Sequence, residues 1–149
     1  MRRVDFIVAA REFDELKAEQ FMQDAVYFYH KGDTVEKLAR EMTAGGFGSV
    51  PVVDTNGQVI GIVTEFDILK AIREGKKLSD STAVEIMTSN PLTVGLKTTA
   101  PELIQRLQDN HLIRMPVVDD NGKLVGIVAR RDILEGYVKA TIQRHGFWP

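Results

Sequence analysis

The sequence contains one pattern twice, and this duplication restricts the possible folds more than any other feature. Every repeated motif recurs 65 residues later, with no gap between the two copies. The shared motifs are Pro-Val-Val-Asp at 51–54 and 116–119, Asn-Gly at 56–57 and 121–122, Gly-Ile-Val at 61–63 and 126–128, and Asp-Ile-Leu at 67–69 and 132–134. The match extends back to Met22 and Met87. Self-similarity at one fixed period indicates two copies of one supersecondary structure.

The duplication predicts how the chain is organised. We expect five regions: an N-terminal helical extension at 1–21, a first repeat at 22–76, a linker at 77–86, a second repeat at 87–140 and a tail at 141–149. In the extension, apolar residues from Phe6 to Leu16 form a stripe on a charged segment, which predicts a helix. We expect this helix to pack on the repeats or on a second subunit.

Local signals predict the same elements in both repeats. In the first repeat, an apolar strand at 26–29 precedes a helix that is capped at Asp33 or Thr34 and ends at Gly45-Gly46. Strands at 50–53 and 59–63 follow, joined by an Asp-Thr-Asn-Gly hairpin, and a second helix opens near Glu65 and continues through Ile68, Leu69 and Ile72. In the second repeat, the same signals predict strands at 92–94, 115–118 and 124–128 and helices on 103–107 and 133–137.

Each repeat therefore has the order β-α-β-β-α, and the fold class is α/β (α+β). The predicted strands are apolar on both faces, so both faces of each sheet should be covered. One repeat of about 55 residues would be only marginally stable alone, and packing against the second copy would stabilise it. We expect a pseudo-twofold pair with two equivalent clefts, where a ligand would bind.

The repeated pattern resembles tandem cystathionine-β-synthase-type (CBS) domains, also called a Bateman module. The features that carry the resemblance are the β-α-β-β-α order, Pro-Val-Val-Asp, the Asn-Gly hairpin and Gly-Ile-Val-Thr-x-x-Asp, over about 120 of the 149 residues. The resemblance implies a module that binds AMP, ADP, ATP or S-adenosylmethionine as a ligand, without a catalytic cofactor. It also implies that Asp67 and Asp132 bind ribose hydroxyls and that Thr64 helps to hold ribose or phosphate, while Ala129 lacks the hydroxyl at the matching position.

The resemblance places a candidate site in each of two clefts. The first cleft would combine seven residues: Ser49, Thr64, Asp67, Thr88, Thr93, Leu112 and Ile113. The second would combine another seven: Gln23, Phe28, Phe47, Gly48, Arg114, Arg131 and Asp132. We expect the cleft of Thr64 and Asp67 to be the better ribose site, whereas the arginines favour more anionic ligands in the other cleft.

Several of these residues also have a purely structural interpretation. Thr-x-x-Asp before an apolar helix is typical of a capping box, so Thr64 and Asp67 could serve only to start a helix. Asp132 is retained without a capping threonine, which favours the ligand role. Asp54 and Asp119 are interpreted as hairpin residues.

Composition argues against other classes of function. The formal net charge of −2 gives no electrostatic case for nucleic acid, and no apolar run is long enough to cross a membrane. The three histidines show no metal-ligand spacing, and neither a nucleophile elbow nor a phosphate-binding glycine loop is present. Cysteine is absent.

The sequence thus predicts a cytoplasmic, homodimeric regulatory module that is not an enzyme. It would sense an adenosine-containing ligand and transmit its state to an unidentified partner protein. The alternative is a constitutive dimerisation or interaction module whose clefts stay empty.

Overall fold

The computed structural model describes residues 12–142, which form two units. The first-repeat unit is Tyr27–Pro91, and the second-repeat unit combines the residues up to Val26 with those from Leu92 onward. The N-terminal segment of the second-repeat unit contains a 3-10 turn at Phe13–Glu15 and helix α1 at Ala18–Phe21. This segment precedes the first repeat in sequence but packs on the second.

The first-repeat unit is a four-stranded sheet with helices. Its elements are β1 (Tyr29–His30), α2 (Val35–Gly45), β2 (Ser49–Val53), β3 (Val59–Thr64), α3 (Glu65–Arg73), a 3-10 turn (Leu78–Asp80), α4 (Ala83–Ile86) and β4 (Thr88–Ser89). The strand order is β1-β2-β3-β4; β1 runs parallel to β2, and the other two pairs are antiparallel. The short apolar strands pair in one sheet because each leaves backbone groups that must be hydrogen-bonded once buried.

The second-repeat unit repeats this topology. Its further elements are β5 (Val94–Gly95), α5 (Ala100–Asp109), β6 (Arg114–Val118), β7 (Leu124–Ala129), α6 (Arg130–Tyr137) and a π-helical turn (Val138–Ile142). The sheet order is β5-β6-β7; β5 runs parallel to β6, and β6 runs antiparallel to β7. The predicted α/β class and the two β-α-β-β-α repeats are confirmed.

In each unit, one further backbone pairing extends the sheet beyond the last strand of the hairpin. Gln23 pairs with Ile127 of β7 through two backbone hydrogen bonds of 2.8 and 2.9 Å. At the matching position of the first-repeat unit, Thr88 pairs with Ile62 of β3. The segment 12–26 therefore has the same role in the second-repeat unit as the segment 77–91 has in the first.

Helix ends and hairpins follow the local sequence signals. The Thr34 hydroxyl accepts a hydrogen bond from the Lys37 N–H at 3.1 Å, which caps α2. Gly46 ends that helix with φ +73°, and His111 holds the matching left-handed position, φ +52°, after α5. Asp54 accepts the backbone N–H groups of its own turn, which confirms the predicted hairpin role.

Each unit has its own apolar core. The first core is formed by fully or nearly fully buried residues of β1–β3 and α2–α4: Tyr29, Val35, Leu38, Met42, Val50, Val52, Val63, Ile68 and Ala83. The second core includes three residues from the N-terminal segment, Leu16, Ala18 and Phe21, each with no exposed surface. These three residues pack with Val94, Leu103, Met115, Val117 and Val128, among others.

Three sequence predictions need correction. The strand predicted at 26–29 begins only at Tyr29, because Tyr27 and Phe28 are more than half exposed and lie outside the sheet. The strand predicted at 92–94 is likewise shifted, to Val94–Gly95. The predicted N-terminal helix is interrupted: Leu16 and Lys17 are extended, and Lys17 pairs with Thr99. Phe6 lies outside the described residues.

The glycine of each Gly-Ile-Val motif permits close packing by the preceding segment. A Cβ atom on Gly61 would overlap the side chain of Met87, and one on Gly126 would overlap Met22. On Gly126 it would also lie 3.0 Å from the backbone oxygen of Gln23. The repeated glycine is therefore required by the same contact in both units.

We predict that Gly126→Ala destabilises the protein by about 1–3 kcal/mol and more than Gly61→Ala does. The methionine side chain next to Gly61 can move aside, whereas the Gln23 carbonyl is fixed by its pairing with Ile127. Urea unfolding midpoints measure the difference. Gly32→Ala is the matched control, since a Cβ atom there meets nothing within 4 Å. Equal midpoints for all three variants would contradict the prediction.

Candidate ligand-binding site

Four of the residues predicted for the first cleft lie around the start of α3 in the first-repeat unit. Ser49 is directly opposite Thr64 in the β2–β3 pairing, and Thr88 is opposite Ile62 on the other side of β3. Asp67 lies in the first turn of α3. The geometry thus places three hydroxyl side chains and one carboxylate on or next to the end of β3.

Thr64 and Asp67 form the capping box that the sequence allowed. The Asp67 carboxylate oxygen Oδ2 accepts the Thr64 N–H at 2.9 Å, and the Thr64 hydroxyl accepts the Asp67 N–H at 3.2 Å. The Glu65 N–H donates to the Gly48 carbonyl at 3.0 Å, which fixes the helix start against the residue that precedes β2. The structural role of Thr64 and Asp67 is therefore present, and it uses one of the two carboxylate oxygens.

The second carboxylate oxygen of Asp67 has spare acceptor capacity. Asp67 is only partly buried, and its Oδ1 accepts none of the hydrogen bonds found within residues 12–142. A carboxylate oxygen can accept from two donors, such as neighbouring hydroxyls of a sugar. Capping and ligand binding are thus compatible at this residue.

The matching aspartate of the second-repeat unit has a different environment. Asp132 has no exposed surface. Its Oδ2 accepts the Ala129 N–H at 2.9 Å, and Gln23 donates to its Oδ1 at 3.5 Å. Asp132 therefore caps α6 without a threonine. Asp132 thus has a structural role that the sequence did not indicate, and its role in ligand binding stays a prediction.

Cationic side chains surround the start of α6. Arg114 is partly buried and lies opposite Ala129 in the β6–β7 pairing, where the first-repeat unit has Ser49 opposite Thr64. Arg131 is exposed and lies 3.4 Å from Glu135 in the next turn of the helix. The two units therefore differ at matching positions, since Arg114 replaces the hydroxyl of Ser49 and Arg131 replaces the apolar ring of Phe66.

The predicted aromatic residues lie in the first-repeat unit. Phe28 is 53% exposed and meets His30 edge to face, with ring centroids 5.9 Å apart. Phe47 is partly buried against the core, and its ring is 4.7 Å from that of Tyr27. The neighbouring Tyr27 is 58% exposed, and it was not among the site residues predicted from the sequence. Its exposure is not evident from an apolar run that was interpreted as a buried strand.

The remaining predicted residues are distributed over both units. Thr93, Leu112 and Ile113 belong to the second-repeat unit, where Leu112 packs on the core and Ile113 is 57% exposed. Gly48 belongs to the first. Joint binding of one ligand by Thr93, Leu112 and Ile113 with Asp67, or by Phe28, Phe47 and Gly48 with Asp132, stays a prediction.

A side-chain hydrogen bond from Tyr29 fixes β1 to α2. Its side chain is buried, and its hydroxyl donates to the Glu41 carboxylate at 2.9 Å. Burial, followed by the bond to Glu41 and the charge of that residue, raises the pKa of Tyr29 well above its ordinary range. The hydroxyl therefore stays protonated and ties β1 to α2.

Residues 12–142 contain neither a metal-binding cluster nor a membrane-spanning helix. No group of three or more His, Asp or Glu side chains there could hold a metal ion. None of the helices in that range has both the length and the apolar character needed to span a membrane.

The two units share one topology and have matching helix starts, so the chain is a tandem α/β module. A family model described as "CBS domain" matches the chain twice, at residues 18–74 and 83–139. The chain belongs to the CBS domain family and contains a tandem CBS pair, or Bateman module. The resemblance inferred from the sequence is confirmed.

Relatives and solved structures support the same assignment. An uncharacterized protein of Methanopyrus kandleri is 39% identical over 114 residues, which are 74% of this chain and 58% of that protein. The CBS domain pair of protein MJ0100, in complex with 5′-methylthioadenosine and S-adenosyl-L-methionine, is 28% identical with a TM-score of 0.72 over 80% of this chain and 97% of that one.

A third similar structure is the cytosolic domain of the Mg²⁺ channel MgtE in complex with ATP. It is 26% identical with a TM-score of 0.71, over 83% of this chain and 49% of that one. This chain thus spans about half of the MgtE domain and 58% of the M. kandleri relative.

Proposed function

We propose that this protein is a cytoplasmic regulatory module that binds an adenosine-containing ligand and is not itself an enzyme. The ligand class is AMP, ADP, ATP or S-adenosylmethionine. Binding would shift the equilibrium between conformations of a homodimer, and a partner protein would respond to that shift.

The environment of Asp67 is the observation on which the proposal depends. Its carboxylate combines partial exposure, spare acceptor capacity at Oδ1 and a position in the first turn of α3. Ribose offers two adjacent hydroxyl donors to such a group. Thr64, Ser49 and Thr88 add hydroxyls at the same end of the sheet, and the helix N-terminus favours a phosphate close by.

The second-repeat unit is proposed as the weaker ribose site. Asp132 is fully buried and already accepts bonds from Ala129 and Gln23, so a sugar would have to displace the Gln23 side chain. Arg114 and Arg131 would favour anionic ligand groups there.

The ligands of two similar structures support the proposed class. The MJ0100 pair is described with 5′-methylthioadenosine and S-adenosyl-L-methionine, and the MgtE domain with ATP. These three compounds share an adenosine group and differ in what the 5′ position carries. Adenosine recognition is therefore the property that we transfer to this chain, while the 5′ group remains to be determined by experiment.

Thermal unfolding with a panel of ligands tests the proposal. The panel contains AMP, ADP, ATP, S-adenosylmethionine and NAD, each with and without magnesium, and GTP as the control. A ligand at 100 times its Kd adds about 2.7 kcal/mol, which raises the Tm by several degrees. We expect a selective rise with at least one adenosine compound and none with GTP.

A flat panel, on protein shown to be free of co-purified nucleotide, would contradict ligand sensing. It would favour the alternative function, a constitutive interaction module. One observation supports that alternative: the capping box gives Thr64 and Asp67 a complete structural role without any ligand. In that case Asp67→Ala would change stability alone.

A further inference from the structure

One position at the edge of each sheet carries a different residue in the two repeats. Gln23 and Thr88 are separated by the repeat period of 65 residues, as are Asp132 and Asp67. Gln23 and Thr88 each pair antiparallel with the isoleucine of the Gly-Ile-Val motif in their own unit. Because the pairing register determines the face on which a side chain lies, Gln23 and Thr88 project from matching places in the two units.

The side chain of Gln23 covers the aspartate of the second-repeat unit. Its amide Nε2 donates to Oδ1 of Asp132 at 3.5 Å. Gln23 is itself exposed, whereas Asp132 has no exposed surface. The amide of Gln23 therefore lies on the solvent side of a carboxylate that is otherwise buried.

The first-repeat unit has no such cover. Thr88 is exposed and has a shorter side chain than glutamine, and within residues 12–142 it donates no hydrogen bond to Asp67. Asp67 is only partly buried. The unit with threonine at this position thus has an accessible aspartate, and the unit with glutamine has an inaccessible one.

The covered oxygen is the one that a ribose would need. In both units Oδ2 of the aspartate accepts a backbone N–H at 2.9 Å, from Thr64 for Asp67 and from Ala129 for Asp132. Oδ1 is therefore the oxygen that faces a sugar hydroxyl in either unit. Gln23 contacts this oxygen in the second-repeat unit.

Gln23 covers Asp132 through a side chain that can move, on a backbone that is fixed. Its backbone makes two hydrogen bonds to Ile127, of 2.8 and 2.9 Å. Its contact of 3.5 Å with Asp132 is longer than the usual range of about 2.7–3.2 Å, so the bond itself is weak. Gln23 therefore acts mainly by filling the space in front of the carboxylate, which a shorter side chain would leave open.

We propose that Gln23 is the specificity-determining residue that excludes ribose from the second-repeat unit, so that the chain binds one adenosine ligand, at Asp67. The inference rests on the proposed function for its ligand class. It goes beyond that function by assigning the difference between the two units to one side chain and by fixing the number of ligands per chain. Exchanging glutamine and threonine between positions 23 and 88 should therefore exchange the access to the two aspartates.

Carboxyl labelling tests the cover without any ligand. Carbodiimide with glycine ethyl ester modifies accessible carboxylates, and peptide mass spectrometry measures the extent at each one. In the wild type, Asp67 should be labelled and Asp132 protected. Gln23→Thr should raise the labelling of Asp132 to that of Asp67, and Thr88→Gln should lower that of Asp67. The exposed Asp120 of the β6–β7 hairpin is the internal control, with equal labelling in all three proteins.

The outcome at Asp132 decides the proposal. Gln23→Thr is expected to fold, since the bonds to Ile127 come from the backbone and not from the side chain. Continued protection of Asp132 in the folded Gln23→Thr protein would overturn the role of Gln23. If that variant does not fold, Thr88→Gln provides the decision, and unchanged labelling of Asp67 would overturn the proposal.

Calorimetric titration with AMP, ADP, ATP and S-adenosylmethionine measures the consequence for binding. The wild type should bind one ligand per chain, and Gln23→Thr should gain a second binding event. Thr88→Gln should weaken the first event by about tenfold or more, because the glutamine would occupy the place of a sugar hydroxyl. Two equal sites in the wild type would overturn the proposal.

Labelling and titration together separate this inference from the proposed function. A flat titration for all three proteins, with the expected exchange of labelling, would contradict ligand sensing and support the role of Gln23 as the cover of Asp132. Adenosine binding by the wild type, with Asp132 protected in Gln23→Thr, would support ligand sensing and overturn only the role of Gln23.

Discussion

Replacing Asp67 with asparagine is expected to weaken the binding of AMP and ATP by about tenfold to 150-fold. The estimate corresponds to the loss of hydrogen bonds to a charged group, each worth about 1.5–3 kcal/mol. Asparagine keeps one side-chain oxygen, which can still accept the Thr64 N–H that Asp67 now accepts at 2.9 Å. The variant therefore removes the ribose acceptor and preserves the helix cap. Isothermal titration calorimetry measures the change in Kd.

Asp67→Ala separates capping from binding at the same position. Alanine removes the ribose acceptor and also the bond by which Asp67 accepts the Thr64 N–H, a loss of about 0.5–1.5 kcal/mol of folding stability. If Asp67 only caps the helix, alanine lowers stability, and neither substitution changes the affinity for any adenosine ligand. If Asp67 binds ribose, both substitutions weaken binding, but only alanine lowers stability markedly. Unchanged affinity in the asparagine variant would therefore contradict the proposed site.

Asp132→Asn is the matched control in the second-repeat unit. Asp132 is fully buried and accepts bonds from Ala129 and Gln23, so its change should act mainly on stability. We expect a smaller effect on affinity than at Asp67. A larger effect at Asp132 would mean that the unit with the arginines is the principal site, as the converse hypothesis from sequence allowed.

The sequence predicts the fold well because the signals that define each element are local and occur twice. Asp54 and Gly57 determine a turn through bonds within a few residues, and Gly46 ends a helix through its own backbone conformation. A second copy of each signal 65 residues away excludes coincidence. Element order and type follow from such signals without knowledge of the tertiary packing.

The parts of the site that sequence could not predict depend on contacts between distant segments. Asp67 and Asp132 occupy the same position of the repeat, yet one is partly exposed and the other completely buried. Part of the difference is Gln23, which contacts Asp132 across 109 residues of chain. No local pattern around Asp132 encodes that contact. The same limit explains why Leu69 and Ile72 were placed on an apolar helix face without any indication that this face is exposed.

The contribution of the N-terminal segment to the stability of the second core was also not predictable from the sequence. The variant Phe21→Ala measures this contribution. The sequence assigned residues 1–21 to an extension, but Phe21 is fully buried in the second core. Its ring also meets that of Phe13 edge to face, with centroids 6.0 Å apart. Truncating a buried phenylalanine to alanine costs about 3–5 kcal/mol, a large share of the 5–15 kcal/mol that stabilises a typical domain.

Ile86→Ala is the matched control, since Ile86 holds the repeat-equivalent position in the first-repeat unit and is only partly buried. Urea unfolding should show a larger loss of stability for Phe21→Ala than for Ile86→Ala. Hydrogen exchange should localise the losses, with faster exchange in α5 and α6 for Phe21→Ala and in α2 and α3 for Ile86→Ala. A wild-type unfolding midpoint for Phe21→Ala would mean that the segment before the first repeat is dispensable to the second core. Loss of protection in α5 and α6 would instead show that this segment is an integral part of the second-repeat unit.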